Sequence, residues 1–186
     1  MDGRRLVLKL RVMAALAINR RQAALALVDR MLEHQSGDAE ALAIRAHVHA
    51  QLGRKAAAIE DLRGLLDLHP HLSAAHWFNL AFLLEEQGQL DGAEAAFRKS
   101  IEMDPRLDRA WYGLGLVLIR QRRFDEAALA LEKNTKLQPM SPYGWYQLAR
   151  VHMDRHRPEE ARRIVRHLKN FEPKVAAQLE REIGAG

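Results

Sequence analysis

Residues 105–115 read PRLDRAWYGLG, and 34 residues further on residues 139–149 read PMSPYGWYQLA. In both stretches a tryptophan follows a proline by six residues, and a leucine follows the tryptophan by three. An earlier copy, PHLSAAHWFNLA at residues 70–81, keeps this order with one extra residue after the proline. The return of large, rare residues at a fixed interval predicts a chain built from stacked helical units.

The same period extends along the chain in three columns of prolines, tryptophans and alanines, spaced by 34 or 35 residues. The columns are Pro70, Pro105, Pro139 and Pro173; Trp77, Trp111 and Trp145; and Ala24, Ala58, Ala93, Ala127 and Ala161. Three independent columns share one period, and the repeat covers nearly the whole sequence. A period of this length is typical of units made of two antiparallel helices.

The columns resemble the tetratricopeptide-repeat (TPR) family, whose pattern is W-x2-L-G-x2-Y, then A-x3-F, then P. The fourth unit carries this pattern as Trp111, Leu114, Gly115, Leu118, Ala127, Leu131 and Pro139. The third carries Trp77, Leu80, Ala81, Leu84, Gly88, Ala93, Phe97 and Pro105, and the fifth Trp145, Leu148, Ala149, His152, Ala161, Val165 and Pro173. The first two units are weaker, with Leu8, Arg11 and Val12, and Leu42, Arg45 and Ala46, in the opening columns.

The resemblance implies an all-α fold, a right-handed α-solenoid of about five helix-turn-helix units with a short C-terminal capping helix. We expect the repeats at 5–38, 39–72, 74–107, 108–141 and 142–175, and the capping helix at 174–183, in a single domain of residues 1–186. Gly53 and Gly88 are expected in the turns between paired helices, where a positive φ suits glycine. Gly115 and Ala127 are expected where two helices approach closely.

In the TPR family the first helices line a concave groove that holds a peptide or a helix of another protein. Carried over column by column, the predicted groove of repeats 3–5 consists of Phe78, Asn79, Phe82, Arg109, Tyr112, Leu116, Tyr143, Tyr146, Gln147 and Arg150. All 11 aromatic residues lie between Trp77 and Phe171, and exposed aromatic side chains are the usual anchors of a binding surface. Packing within the fold is the alternative interpretation of Tyr112 and Tyr146.

One subclass of the family clamps the terminal carboxylate of chaperone tails with lysine, asparagine and arginine. This sequence departs from that set. The column of Lys9 continues with Ala43 in the next repeat, and Met13 stands where the asparagine is expected. Only Asn79 fits one of the remaining clamp columns. The resemblance therefore favours an apolar partner segment, either extended or an amphipathic helix. The predicted function is a protein-protein interaction scaffold or adaptor.

The net charge of +5 is unevenly spread. The densest basic stretch is Arg150, Arg155, Arg157, Arg162, Arg163, Arg166 and Lys169. Binding of an anionic polymer or surface through this face is an alternative function, and a solvated outer face paired with Glu159 and Glu160 is the simpler interpretation. We do not expect nucleic acid as a partner, because no RNA-binding or helix-turn-helix signature accompanies the charge.

Features of an enzyme or a metal site are missing from the sequence. It has no nucleophile elbow, P-loop or cysteine, and Gly113-Leu-Gly115 lacks the third glycine of a dinucleotide-binding loop. His152 and His156 are four residues apart but lack a third ligand. We therefore expect no catalysis, no cofactor and no metal.

The first helix has no polar cap, and its apolar run of residues 6–18 is interrupted by Lys9 and Arg11 and is too short to span a membrane. Self-association through the uncapped first repeat, a covering chain, or excision from a longer protein would each explain it. The expected location is the cytoplasm, with a bacterial Ala/Arg bias in composition. The alternative is the soluble TPR part of a membrane-associated secretion or polysaccharide-export assembly.

Overall fold

The computed structural model describes residues 3–184, and this range contains eleven α-helices and no strand. The helices are α1 Gly3–Ala17, α2 Arg21–His34, α3 Ala39–Gln51, α4 Lys55–Leu68, α5 Ala74–Glu86, α6 Leu90–Met103, α7 Asp108–Arg120, α8 Phe124–Leu137, α9 Pro142–Asp154, α10 Pro158–Leu168 and α11 Pro173–Gly184. They follow the predicted repeats in pairs, and the all-α prediction is confirmed. No helix among residues 3–184 combines the length and the apolar character needed to cross a bilayer.

The capping helix α11 is one residue longer at each end than predicted. Its first residue is Pro173, the proline that also follows the end of α10. Proline is well suited to the first turn of a helix, because it has no N–H group to leave unpaired there and its φ is already helical. Pro173 therefore begins α11, and residues 169–172 separate this helix from α10.

The chain forms two compact units, Met1–Gly88 and Gln89–Gly186. The first contains α1 to α5 and the second contains α6 to α11. The boundary falls inside the predicted third repeat, between α5 and α6. The assignment of the whole chain to a single domain therefore stays a prediction.

The turns inside the helix pairs all use a residue with a left-handed backbone. Gly53 and Gly88 have φ of 73°, as predicted. The equivalent positions hold Asn19, Arg122 and His156, with φ of 58°, 61° and 55°. The sequence predicted this conformation only where glycine occurs. An L-residue pays roughly 1–2 kcal/mol for it, and backbone hydrogen bonds across the turn, such as Arg123 N to Leu118 O at 2.9 Å, hold the chain there.

Each tryptophan of the repeat is tied to the proline that precedes it. The indole Nε1 atoms of Trp77, Trp111 and Trp145 donate hydrogen bonds to the carbonyl oxygens of Pro70, Pro105 and Pro139 at 2.9, 2.9 and 2.8 Å. The carbonyl lies beyond the end of a helix and has no partner within that helix. The hydrogen bond therefore ties each tryptophan to the loop in which the proline lies.

Small residues lie at the close contacts between helices. The alanines of the repeat column are fully buried, from Ala24 in the first pair to Ala161 in the last. A Cβ atom placed on Gly113 in α7 would lie 2.5 Å from Cε1 of the buried Phe97 in α6. A Cβ atom on Gly115 would lie 2.8 Å from Cγ of Leu131. These distances confirm the close approach predicted at Gly115.

Candidate partner-binding site

The first helices of the predicted groove expose one side in each unit. We call the exposed side of α3 and α5 in the first unit, and of α7 and α9 in the second, the first-helix face. In the first unit this face contains a cavity of about 400 Å³. Its lining consists of Ala43, Ala46, His47, Ala50, Lys55, Leu62, His76, Asn79, Phe82, Leu83 and Glu86.

The cavity exists because α3 presents alanine where larger side chains would fill the space. Ala43, Ala46 and Ala50 lie on its α3 side, and Phe82 of α5 lines it with 47% of its surface exposed. The ring of Phe78 stacks on that of Phe82, with centroids 6.5 Å apart. Phe78 is half-buried, so Phe82 is the more exposed of the two rings.

The polar groups around the cavity cancel in charge. Lys55 Nζ lies 3.2 Å from Glu86 Oε1, which pairs the cation and the anion of the lining. Burial lowers the pKa of His76, so its imidazole is neutral at physiological pH. His47 contacts Gln51 at 2.8 Å, and Asn79 is exposed. An uncharged, largely apolar ligand group matches such a lining.

In the second unit, three predicted groove residues come together on α7 and α9. The hydroxyl of Tyr112 is hydrogen-bonded to the side chain of Gln147, and its pKa is raised, mainly by burial and also by the nearby Tyr143. Tyr143 is 71% exposed. Leu116 is half-buried and Arg109 is exposed. Tyr112 is therefore partly packed within the fold and partly exposed, and Tyr143 is the more exposed of the two rings.

Tyr146 is engaged by the capping helix. Its hydroxyl donates to Glu182 Oε1 at 2.9 Å and accepts from Gln178 Nε2 at 3.2 Å. The guanidinium carbon of Arg150 lies 5.8 Å from the centre of the Tyr146 ring. The sequence predicted α11 only as a cap, so it gave no sign that α11 would contact this residue.

The basic stretch of the fifth repeat is largely paired with acids. Arg155 lies 2.8 Å from Asp125, Arg162 pairs with Glu159, and Arg163 lies 3.2 Å from Glu160. Lys169 pairs with Glu180 at 2.5 Å. This pairing is what the interpretation as a solvated outer face predicts.

The two histidines weighed as metal ligands do not share a helical face. His152 is buried in α9, whereas His156 lies beyond the end of α9 in the left-handed turn. Burial is also the main reason that the pKa of His152 is lowered, and its Nδ1 atom is buried without a hydrogen-bond partner. In residues 3–184 no group of three or more histidine, aspartate or glutamate side chains is arranged to hold a metal ion.

Comparisons with known proteins agree on the fold. The chain superposes on a crystal structure of MamA protein with a TM-score of 0.87 and 19% identity, covering 95% of this chain and 96% of that chain. MamA 41-end from Desulfovibrio magneticus RS-1 gives a TM-score of 0.81 at 19% identity, covering 98% of both chains. YrrB, described as a TPR protein with an unusual peptide-binding site, gives 0.82 at 18% identity, covering 91% of this chain and 88% of that chain.

These identities establish the fold alone, an α-solenoid of TPR units. A search of curated proteins gave no match. A family model described as the cilia and flagella-associated protein 70 C-terminal domain matches residues 8–181, which is nearly the whole chain. The chain therefore belongs to the family of the cilia and flagella-associated protein 70 C-terminal domain, a family of tetratricopeptide repeats.

Proposed function

We propose that this chain is a non-enzymatic interaction scaffold that binds an apolar peptide or helix of a partner protein on its first-helix face. The observation that carries the proposal is the half-exposed Phe82 at the cavity of α3 to α5. An aromatic side chain beside an open, uncharged space is the arrangement that binds an apolar side chain of a ligand.

The energy available at Phe82 is sufficient to make it an anchor. Phenylalanine buries on the order of 150–250 Å² when fully covered, and about half of the Phe82 surface is exposed. At about 25 cal/mol per Å² of apolar surface, covering it contributes on the order of 2 kcal/mol. Asn79 on the same helix supplies an amide that can hydrogen-bond the backbone of the bound segment.

The second unit supplies a separate set of contacts. Tyr112, Leu116 and Tyr143 offer apolar surface, and Arg109, Gln147 and Arg150 orient a bound segment by hydrogen bonds and charge. Tyr146 contributes through its contact with α11, which fixes the ring and leaves its hydroxyl already paired. In this proposal Phe78 supports Phe82 instead of contacting the partner directly.

Quantitative affinity capture from the source organism tests the proposal, with wild type beside three variants. Phe82→Ala removes the anchor of the first unit, and Tyr112→Ala/Leu116→Ala removes apolar surface from the second. Leu129→Ala is the matched control, because Leu129 is 64% exposed on α8 and lies off the first-helix face. All variants are first checked for unchanged helicity.

A partner that binds wild type and Leu129→Ala, but binds Phe82→Ala at least tenfold more weakly when purified, supports the proposal. A partner retained equally by all variants contradicts it. Salt distinguishes the alternative function, because an anionic ligand on the basic stretch would weaken steeply with salt. Binding of an apolar segment is expected to change little with salt.

A further inference from the structure

Helix α1 exposes a broad apolar surface. Leu6, Val7, Leu10, Met13 and Ile18, on α1 or directly after it, are between 41% and 64% exposed. They are five of the eleven large apolar side chains exposed in residues 3–184. At 100° per residue these positions fall on one side of the helix. A contiguous apolar surface of this kind marks a contact that the chain alone does not make.

Part of this surface corresponds to a face that is covered in later repeats. Val7 and Ala14 precede Ala41 and Val48 by one period, and both later residues are fully buried in α3. In the second unit the same columns hold Gly144 and Val151, which are buried in α9. We call Val7, Arg11, Ala14 and Ile18 the stacking face of α1.

The second helix of the preceding repeat covers these columns. A Cβ atom on Gly144 would lie 3.2 Å from Cγ of Asn134 in α8, the helix before α9. In the first unit, α2 packs in the same way against α3. The stacking face of α1 therefore has the residues of a helix-packing surface, and no helix of residues 3–184 covers it.

The charge of Arg11 indicates which side chain a helix covering this face would need. Arg45 of α3 lies 3.0 Å from Asp29 in α2 and 2.6 Å from Asp61 in α4. Arg11 occupies the same repeat column in α1, is exposed, and makes no ion pair in the part of the chain that the structure describes. Leu27 stands where α4 has Asp61, so α2 has no carboxylate in the column that pairs with Arg45 in the next repeat.

The absence of acids from α1 separates two occupants. The sequence of α1, GRRLVLKLRVMAALA, has four basic residues and no acidic one. A second copy joined through the same face would bring like charges together and leave Arg11 unpaired. An amphipathic helix that carries a carboxylate would cover the apolar surface and pair with Arg11.

We propose that the stacking face of α1 docks an amphipathic α-helix of another protein. That helix lies against α1 as α2 lies against α3, with apolar residues over Val7, Ala14 and Ile18 and an aspartate or glutamate facing Arg11. This surface is distinct from the first-helix face, and the two proposals fail independently.

A helical peptide with the sequence of α2, Arg21–His34, is the probe, because α2 already makes this contact with α3. Lysine and aspartate replace the exposed Gln22 and Ala26 of this peptide. A lactam staple between the two new side chains keeps the short peptide helical, since an isolated helix of this length is marginal in water. Fluorescence anisotropy measures its binding to the full chain. We expect saturable binding that Arg11→Glu weakens about tenfold and that a peptide with Asp29→Arg restores.

Two further variants separate the stacking face from general charge. Val7→Ser/Ile18→Ser is expected to weaken peptide binding without altering helicity, because both side chains are exposed. Arg166→Gln, an exposed arginine on α10, is the matched control and is expected to bind like wild type. Equal binding by Arg11→Glu and wild type would overturn the proposal, because the probe would then be using another surface.

The other occupants have their own signatures. Sedimentation of the chain without peptide is expected to show a monomer. A dimer abolished by Val7→Ser/Ile18→Ser would assign the face to a second copy and overturn the proposal. Flotation with anionic phospholipid vesicles that is lost in the same variant, together with no peptide binding, would overturn it in favour of a lipid surface.

Discussion

Two glycine-to-alanine substitutions in helices are expected to have opposite effects on stability. Gly64 lies inside α4, and a Cβ atom there would meet nothing within 4 Å. Gly64→Ala should therefore raise the free energy of unfolding by about 1 kcal/mol, the difference in helix propensity between the two residues. Gly113→Ala gains the same propensity, but its Cβ would lie 2.5 Å from Cε1 of Phe97.

Phe97 cannot move aside easily, because only 2% of its surface is exposed. Overpacking of a filled core costs about 1–3 kcal/mol. After the gain in propensity, Gly113→Ala should lower the free energy of unfolding by as much as about 2 kcal/mol. For a chain of this size each kcal/mol moves Tm by roughly 2–4 °C. The difference between the two variants measures the overpacking directly.

Urea unfolding followed by circular dichroism is the assay. Adding Phe97→Leu to Gly113→Ala should recover part of the loss, because the smaller side chain leaves room for the new methyl group. The double-mutant cycle should show a coupling of about 1 kcal/mol or more. If Gly113→Ala stabilises the chain as much as Gly64→Ala does, or if the coupling is zero, the close approach of α6 and α7 is not limiting.

Three other predictions concern single side chains. Trp111→Phe removes the hydrogen bond to the Pro105 carbonyl and should lower the free energy of unfolding by about 1 kcal/mol beyond the loss of buried area; a loss no larger than the area accounts for would contradict this. Asp38 caps α3, and hydrogen bonds from Arg5, Ala41 and Glu40 hold its pKa below the usual range. Because its folded-state pKa is depressed, its stabilisation is present above the ordinary value of about 3.9 and is lost as pH falls through the folded value. Asp38→Asn should flatten acid unfolding in that range, and an unchanged acid limb would show that the carboxylate contributes little. His152→Leu places the leucine of the Leu118 column in α9 and removes a buried, unpaired Nδ1. It should raise the free energy of unfolding by about 1 kcal/mol. It should also reduce the fall in stability below about pH 6.5, because there an unfolded histidine binds a proton and the buried histidine does not. Urea titrations on either side of that pH check both effects. An unchanged pH dependence would contradict the second.

The sequence predicts that the chain consists of helix pairs, but it does not give the bounds of the separate helices within each pair. The Ala58 and Ala127 column marks buried positions directly, and the proline column marks where the helices end. Close-packed buried positions and helix ends leave such signals because few residue types are suited to either. The same reasoning identified the left-handed turns only at glycine, because backbone hydrogen bonds can also hold Arg122 in that conformation.

The candidate site was less accessible to sequence reasoning. A cavity forms where side chains are small. Alanine is common in helices, so Ala43, Ala46 and Ala50 do not by themselves predict a cavity. The engagement of Tyr146 by Glu182 joins residues 36 positions apart and depends on where α11 lies. The role proposed for Arg11 depends on the ion pair of Arg45 with Asp29 in the same repeat column, and sequence alone does not show that pair.

The hydrogen bonds from the tryptophans to the prolines give the chain a spectroscopic property. Trp77, Trp111 and Trp145 are its three indoles, and each is fixed to the loop that precedes α5, α7 or α9. Intrinsic emission therefore reports on these three loops, and unfolding confined to α1 and α2 is expected to leave it unchanged. Variants that keep one indole at a time would become local reporters, and their separate transitions would reveal the order in which neighbouring repeats come apart.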